Sequence, residues 1–151
     1  MIVNSQRSIR VAIAPLTKFF ERVRRELDFP DNGVTIRLIS DEAMARLNGS
    51  FRGKHGPTDV LSFPAQPARV RRSVKSPLST KKSATYLGDI AISPQTARRN
   101  ARLMARSFPT ELRILILHGM IHLAGYDHES DNGEMLRLER RLRRKLGLRN
   151  S

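Results

Sequence analysis

The chain has no cysteine and no tryptophan, and only four histidines among its 151 residues. Without cysteine, disulfides and thiolate metal sites are excluded, so any bound metal must be held through imidazole or carboxylate. Aromatic residues make up only 5% of the chain, which argues against the aromatic platform on which single-strand binders stack bases. Long apolar runs are missing too, and none approaches the ~18 residues a membrane span needs. The opening stretch MIVNSQRSIRVAIAPLTKFF holds only a short apolar run before proline and charge, which does not read as a secretory leader. A soluble cytoplasmic protein with no membrane partner is the expectation. Acidic residues are scarce: 14 Asp and Glu stand against 28 Lys and Arg, a net charge of +14. An excess of that size implies a polyanionic partner, nucleic acid before an anionic membrane.

Hydrophobic residues at 39% are enough for one ordinary domain to bury its own core. Leu16, Phe19, Phe20, Val23 and Leu27 recur at helical spacing, and Pro30 closes that helix. VTIRLI, from Val34, alternates as a strand with one wet face, and Ser40 caps a helix behind it with Asp41 and Glu42 in the first turn. TDVLSFP (58–64) and LGDIAIS (87–93) read as two further strands. Ser93 and Pro94 start a helix that carries Arg98, Arg99 and Arg102 away from Ala97, Ala101 and Met104. The methionines read as packing. ELRILILHGMIHLAG is apolar nearly all round, a buried helix ending at Gly125. Asp131 and Glu134 open the last helix in the manner of a capping box. Met135, Leu138, Leu142 and Leu146 form its core stripe, with arginines facing solvent. These elements predict an α+β fold: a single domain over 1–151, with a small mixed four-stranded sheet packed with helices, one of them a zincin-like metal helix.

A segment rich in Ser, Pro, Lys and Arg, 66–86, interrupts the strands and reads as a loop inserted into that one domain. No acid occurs from 60 to 88. Arg69, Arg71, Arg72, Lys75, Lys81 and Lys82 make it a candidate contact for nucleic-acid phosphates.

Three of the four histidines fall in HGMIHLAGYDH, residues 118–128. His118 and His122 stand at i and i+4, so their rings project from one helix face. Gly125 lets the backbone turn, and His128 then folds back toward the pair. Three converging imidazoles make a tetrahedral zinc site with its fourth position open, the layout of a catalytic rather than a structural zinc. One Zn²⁺ per chain, held by His118, His122 and His128, is expected. The offsets match the metzincin pattern H-E-x-x-H-x-x-G-x-x-H, yet Gly119 stands where a peptidase of that class keeps its general base. The metal geometry is kept while the peptidase chemistry is missing.

HGMIHLAGYDH resembles the signature of the YbeY endoribonucleases, bacterial metal-dependent RNases of ribosomal RNA maturation and ribosome quality control. LNGSFRGKHGPTDVLSFP (47–64), LGDIAIS, Glu111 and the Met135 helix stand in that family's order, so the likeness spans roughly 34–147. The resemblance implies zinc ligation by the three histidines and an RNA-binding cleft lined by Arg52. It also implies a zinc-dependent, single-strand-selective endoribonuclease that processes the 3′ end of small-subunit rRNA, with rRNA and ribosome-associated proteins as partners. The chain departs from the family pattern at His55, where an acid is usual after RGK, and in the basic rather than acidic segment before LGD.

Arg52 and His118 are the expected catalytic residues, Arg52 gripping a phosphate in two-point fashion from the turn before its strand. Asp127 either orients a metal-ligating imidazole from behind or is a turn aspartate. Asp59 and Asp89 are each a structural cap or a proton carrier, Thr58 a strand residue, and His55 a surface residue. No carboxylate replaces Gly119 beside the histidines, so the proton acceptor is unassigned, and water and the RNA 2′-hydroxyl both remain as attacking group. Two other readings stand beside the nuclease. One is a non-catalytic ribosome-binding or RNA-binding protein braced by a structural zinc, and the other a metallohydrolase of another substrate.

Overall fold

The computed structural model describes residues 1–65, 86–127 and 129–148. The expected basic loop, apart from Tyr86, and His128 lie outside the described residues. The chain forms β1 (Ile2–Asn4), α1 (Ile13–Glu26), β2 (Val34–Leu38), α2 (Asp41–Arg52), β3 (Val60–Pro64) and β4 (Gly88–Ile92). Three helices follow, α3 (Pro94–Leu103), α4 (Phe108–Leu123) and α5 (Glu134–Lys145). The four strands make one sheet in the order β1-β2-β4-β3. The pairs β1–β2 and β2–β4 are parallel, while β3 runs antiparallel to β4. This is the α+β architecture with a small mixed sheet that the sequence predicts.

Period-2 alternation assigns the faces of the sheet. Val34, Ile36, Leu38, Ile90 and Ile92 join the main core with Leu16, Phe19, Phe20 and Val23 of α1 and the buried residues of α4. Leu61, Ala91 and Ile39 instead form a smaller cluster with Met44 of α2. Helix α4 is therefore the central helix, buried against the sheet, and the apolar stripe of α5 covers it through Met135 and Leu142.

The serine starts of α2 and α3 are as read, whereas α4 begins at Phe108 behind Ser107 rather than at Glu111, and α5 is capped by Gly133 rather than by Asp131. Ser40 Oγ accepts from Ala43 N at 3.2 Å, and Ser93 Oγ accepts from Thr96 N at 3.3 Å. Asp131 Oδ1 and Oδ2 accept from Gly133 N and Met135 N, while Glu134 reaches back to Asn132 N at 2.7 Å. Two further expectations change. Met104 does not pack: it is 59% exposed at the end of α3, beside Leu103 at 83%. Arg52 is not in a turn but is the last residue of α2, which ends on left-handed Gly53.

At Gly119, α4 and the sheet approach closely. A Cβ there would lie 3.0 Å from two carbon atoms of Ile90 and 3.3 Å from Ser62 Oγ. Position 119 thus faces the strands rather than solvent. A glutamate cannot occupy it without driving helix and sheet apart, which is a physical reason for the missing peptidase base.

Candidate metal and nucleic-acid site

Along α4 from Glu111 to Leu123, every residue is buried except Arg113, His118 and His122. The i, i+4 spacing places both rings on one stripe, and their planes meet edge to face with centroids 4.7 Å apart. Each Nδ1 is engaged from behind. His118 Nδ1 lies 3.1 Å from Glu139 Oε1 on α5, and His122 Nδ1 lies 3.0 Å from the Tyr126 carbonyl oxygen. A carboxylate and a carbonyl oxygen accept, so each Nδ1 is placed to donate, which in a neutral ring leaves Nε2 as the atom that can bind a metal.

Those two Nε2 atoms are 3.2 Å apart. Facing lone pairs at that separation repel unless a cation or a proton lies between them. Two nitrogens bound at the usual zinc distance of ~2.0–2.1 Å in a tetrahedron stand roughly 3.3–3.4 Å apart. The donor set therefore fits a zinc-like cation. Among the described residues no third His, Cys, Asp or Glu completes a metal cluster.

Gly125 provides the sharp exit from α4. Its φ of +100° suits glycine, and its N–H donates to the His122 carbonyl at 3.0 Å. The turn brings Tyr126 back under His122. Asp127 Oδ1 then accepts from Glu129 N at 3.1 Å, an Asx turn, and the residue lines the same cleft as the two histidines.

The cleft, about 630 Å³, has His118, His122 and the Gly125–Asp127 turn on one side and Arg52, Thr58 and Ser62 on the other. Arg52 is exposed and has no ion pair among the described residues. Its backbone is nonetheless held. Asn48 Nδ2 donates to Gly56 O at 2.9 Å, and Gly53 N donates to Gly49 O at 3.1 Å, tying the following loop to the helix. Asp59 acts as a strand cap: Oδ1 accepts from Val60 N at 2.8 Å and Oδ2 from Asn100 Nδ2 at 3.3 Å. Asp89 accepts from the Tyr86 hydroxyl at 2.7 Å. His55 is exposed.

Glu139 is the site residue that sequence reading passed over. It is 6% exposed, on the buried stripe between Met135 and Leu142, and Arg143 Nη2 approaches the same carboxylate oxygen at 3.7 Å. A carboxylate at core spacing, four residues after Met135 and three before Leu142, was the available signal. A carboxylate behind a metal-ligating imidazole fixes its tautomer and raises its basicity, and its loss typically costs ~10–100-fold in metal affinity. Glu139→Gln should weaken zinc binding by about that factor. Competition with a chromophoric chelator measures it, and unchanged affinity would reduce Glu139 to a packing role. Beyond His118, Glu111 is paired with Arg106 at 3.2 Å. Burial pushes its carboxyl above the ordinary carboxylate range, opposed by the Arg106 guanidinium and reinforced by Asp59.

Comparison with known proteins gives the family and the fold. The family model described as "Endoribonuclease YbeY" matches residues 1–147. A protein of that name from Koribacter versatilis is 40% identical over 151 residues, covering 100% of this chain and 88% of the relative. Another, from Nautilia profundicola, is 40% identical over 121 residues, covering 80% and 77%. The solution structure of TM1509 from Thermotoga maritima superimposes with a TM-score of 0.60 at 28% identity, over 97% of this chain and 89% of that one.

Proposed function

The chain belongs to the YbeY endoribonuclease family, and from that premise we propose that it is a zinc-dependent, single-strand-selective endoribonuclease acting in ribosomal RNA maturation, at the small-subunit 3′ end, and in ribosome quality control. The observation that carries the metal dependence is the pair of Nε2 atoms 3.2 Å apart, each ring anchored through Nδ1. His118, His122 and His128 hold one Zn²⁺ per chain in this reading. Bound there, the ion supplies Lewis-acid activation of a water or of a phosphoryl oxygen. Glu139 and the Tyr126 carbonyl keep the two imidazoles aimed. Arg52, which lines the same cleft with no carboxylate paired to it among the described residues, binds a phosphate oxygen pair and offsets the charge that grows there during attack. Gly119 excludes a peptidase base, so the surroundings of the pair favour phosphate over peptide chemistry.

The protein acts in the cytoplasm as one domain, with rRNA and ribosome-associated proteins as partners. No helix among the described residues is long and apolar enough to cross a membrane. The direct test offers the zinc-loaded protein one RNA sequence as a single strand and as a duplex. Cleavage of the single strand alone is expected, abolished by a chelator and restored by zinc. Undiminished cleavage after verified metal removal contradicts the reading.

The basic segment contributes affinity without sequence choice. Each phosphate contact adds ~0.7 to the slope of log affinity against log salt on single strands. Replacing Arg69, Arg71, Arg72 and Lys75 by Ser should flatten that slope and weaken all RNAs alike. A slope identical to that of the unmodified chain would show that these residues touch no phosphate.

A further inference from the structure

The cleft is not the only cavity that His118 borders. A second one, about 460 Å³, shares Asp59, Val60 and His118 with it and opens on the other side toward the end of α3. Its volume lies within the ~300–1,000 Å³ usual for small-ligand pockets. The rim is formed by Leu103 and Met104, 83% and 59% exposed, and the wall behind by Ile114 and Leu115. Large apolar side chains left in water beside a reactive centre call for an occupant.

The charges in this cavity narrow the choice. Arg106 is paired with Glu111 at 3.2 Å, and Arg143 faces Glu139 at 3.7 Å. Asp59, Glu111 and Glu139 line the cavity beside these two guanidiniums, so unlike the surroundings of Arg52 it has no net positive charge to draw a phosphate. It suits a neutral group with apolar faces and a polar edge. Asn100 supplies the edge contact: its Nδ2 makes a long 3.3 Å bond to Asp59, and its amide oxygen accepts nothing among the described residues.

We infer that this second cavity is a nucleobase subsite, taking the base of the nucleotide beside the scissile phosphate. The base lies between the Leu103–Met104 rim and the Ile114–Leu115 wall, with its polar edge on Asn100. The inference rests on the endoribonuclease reading of the cleft and extends it. Apolar side chains commonly sandwich an extruded base in this way. A base that is paired and stacked in a duplex cannot enter, so the subsite gives the single-strand preference a structural cause.

The experiment uses the full-length zinc-loaded protein with methyl-labelled Leu and Met, a short single-stranded RNA, and the same RNA made abasic beside its mapped cleavage position. Leu103 and Met104 are exposed, so Leu103→Ser/Met104→Ser should keep the unfolding midpoint and zinc content unchanged. Intact RNA is expected to shift the Leu103 and Met104 methyl resonances, and abasic RNA to leave them in place. Single-turnover cleavage should fall roughly 5–30-fold in the double variant. The abasic substrate should lose a similar factor with the unaltered protein and nothing further with the variant. Silent methyls, or losses that multiply when variant and abasic substrate are combined, overturn the subsite while leaving the nuclease reading intact. A protein that binds this RNA and cleaves none of it sinks the nuclease reading and, with it, the placement of the base beside a scissile phosphate. A double variant that binds and cleaves like the unaltered chain assigns Leu103 and Met104 to some other partner and ends the proposal.

Discussion

His118→Ala/His122→Ala should contain essentially no zinc and should cleave RNA at least ~10³-fold more slowly than the unaltered protein, the scale on which loss of a reaction's main electrostatic stabiliser is felt. The starting point is α4, a helix that is apolar from Ile114 to Leu117 yet places two polar rings on one stripe at its C-terminal end. Each ring is fixed from behind, by Glu139 at 3.1 Å and the Tyr126 carbonyl at 3.0 Å, leaving facing Nε2 atoms. Such a pair binds a cation well because the ordering cost of the donors is met during folding. The two single variants are not equivalent. Removing His118 leaves the buried Glu139 carboxylate without that ring, a loss of about 1–3 kcal/mol in stability. Removing His122 frees the carbonyl of an exposed turn and takes away the ring that faces His118, leaving the buried Glu139 carboxylate its imidazole. His122→Ala is therefore the cleaner test of metal loss, and His118→Ala should also lower the unfolding midpoint. Elemental analysis beside single-turnover assays checks both, and a double variant that keeps stoichiometric zinc would refute the assignment.

Much of this architecture was legible because it is local. The 3.6-residue stripe of α1, the alternation of β2, the serine caps of α2 and α3, and the glycine exit from α4 each lie within a few residues. What was illegible depends on contacts far apart in the chain. Strand β1 is three residues long, too short to show a period, and it exists because Ile2, Val3 and Asn4 pair with Ile36, Arg37 and Leu38. The order β1-β2-β4-β3 and the reversed direction of β3 are likewise set by pairing across the sheet. Met104 was placed in the core because helical spacing continues past Ala101, but α3 ends at Leu103 and the chain leaves the sheet there. In the site, the i, i+4 histidines carry their geometry within the motif. Glu139 reaches His118 across 21 residues and from another helix, so only its misfit on an apolar stripe pointed to it. Arg52 lines the cleft, but not for the reason its sequence suggests. The arginine does not ride on a turn, and its position follows from the end of α2.

That position sets the second large effect. Arg52→Ala should lower single-turnover cleavage by ~10²–10³ while changing RNA affinity far less, because a guanidinium facing a phosphate that gains charge matters most in the transition state. Rigidity is what separates it from an ordinary surface arginine. Gly53 closes α2 in the left-handed region at φ +63°, and the Asn48 side chain holds Gly56 at 2.9 Å, so the backbone beneath Arg52 has little freedom. The guanidinium lines the cleft opposite His118 and His122 and is neutralised by no carboxylate among the described residues. Zinc content should be unchanged, since Arg52 touches neither imidazole. Lysine should restore only part of the rate, because one ammonium cannot make the two-point fork to a phosphate. The contrast with the basic segment is diagnostic. Removing Arg69, Arg71, Arg72 and Lys75 should change the salt dependence of binding and leave saturated cleavage alone, whereas removing Arg52 should do the reverse. If Arg52→Ala weakens binding while the saturated rate holds at its original value, Arg52 is one more phosphate contact, and the charge that develops on the reacting phosphate is met by some other group.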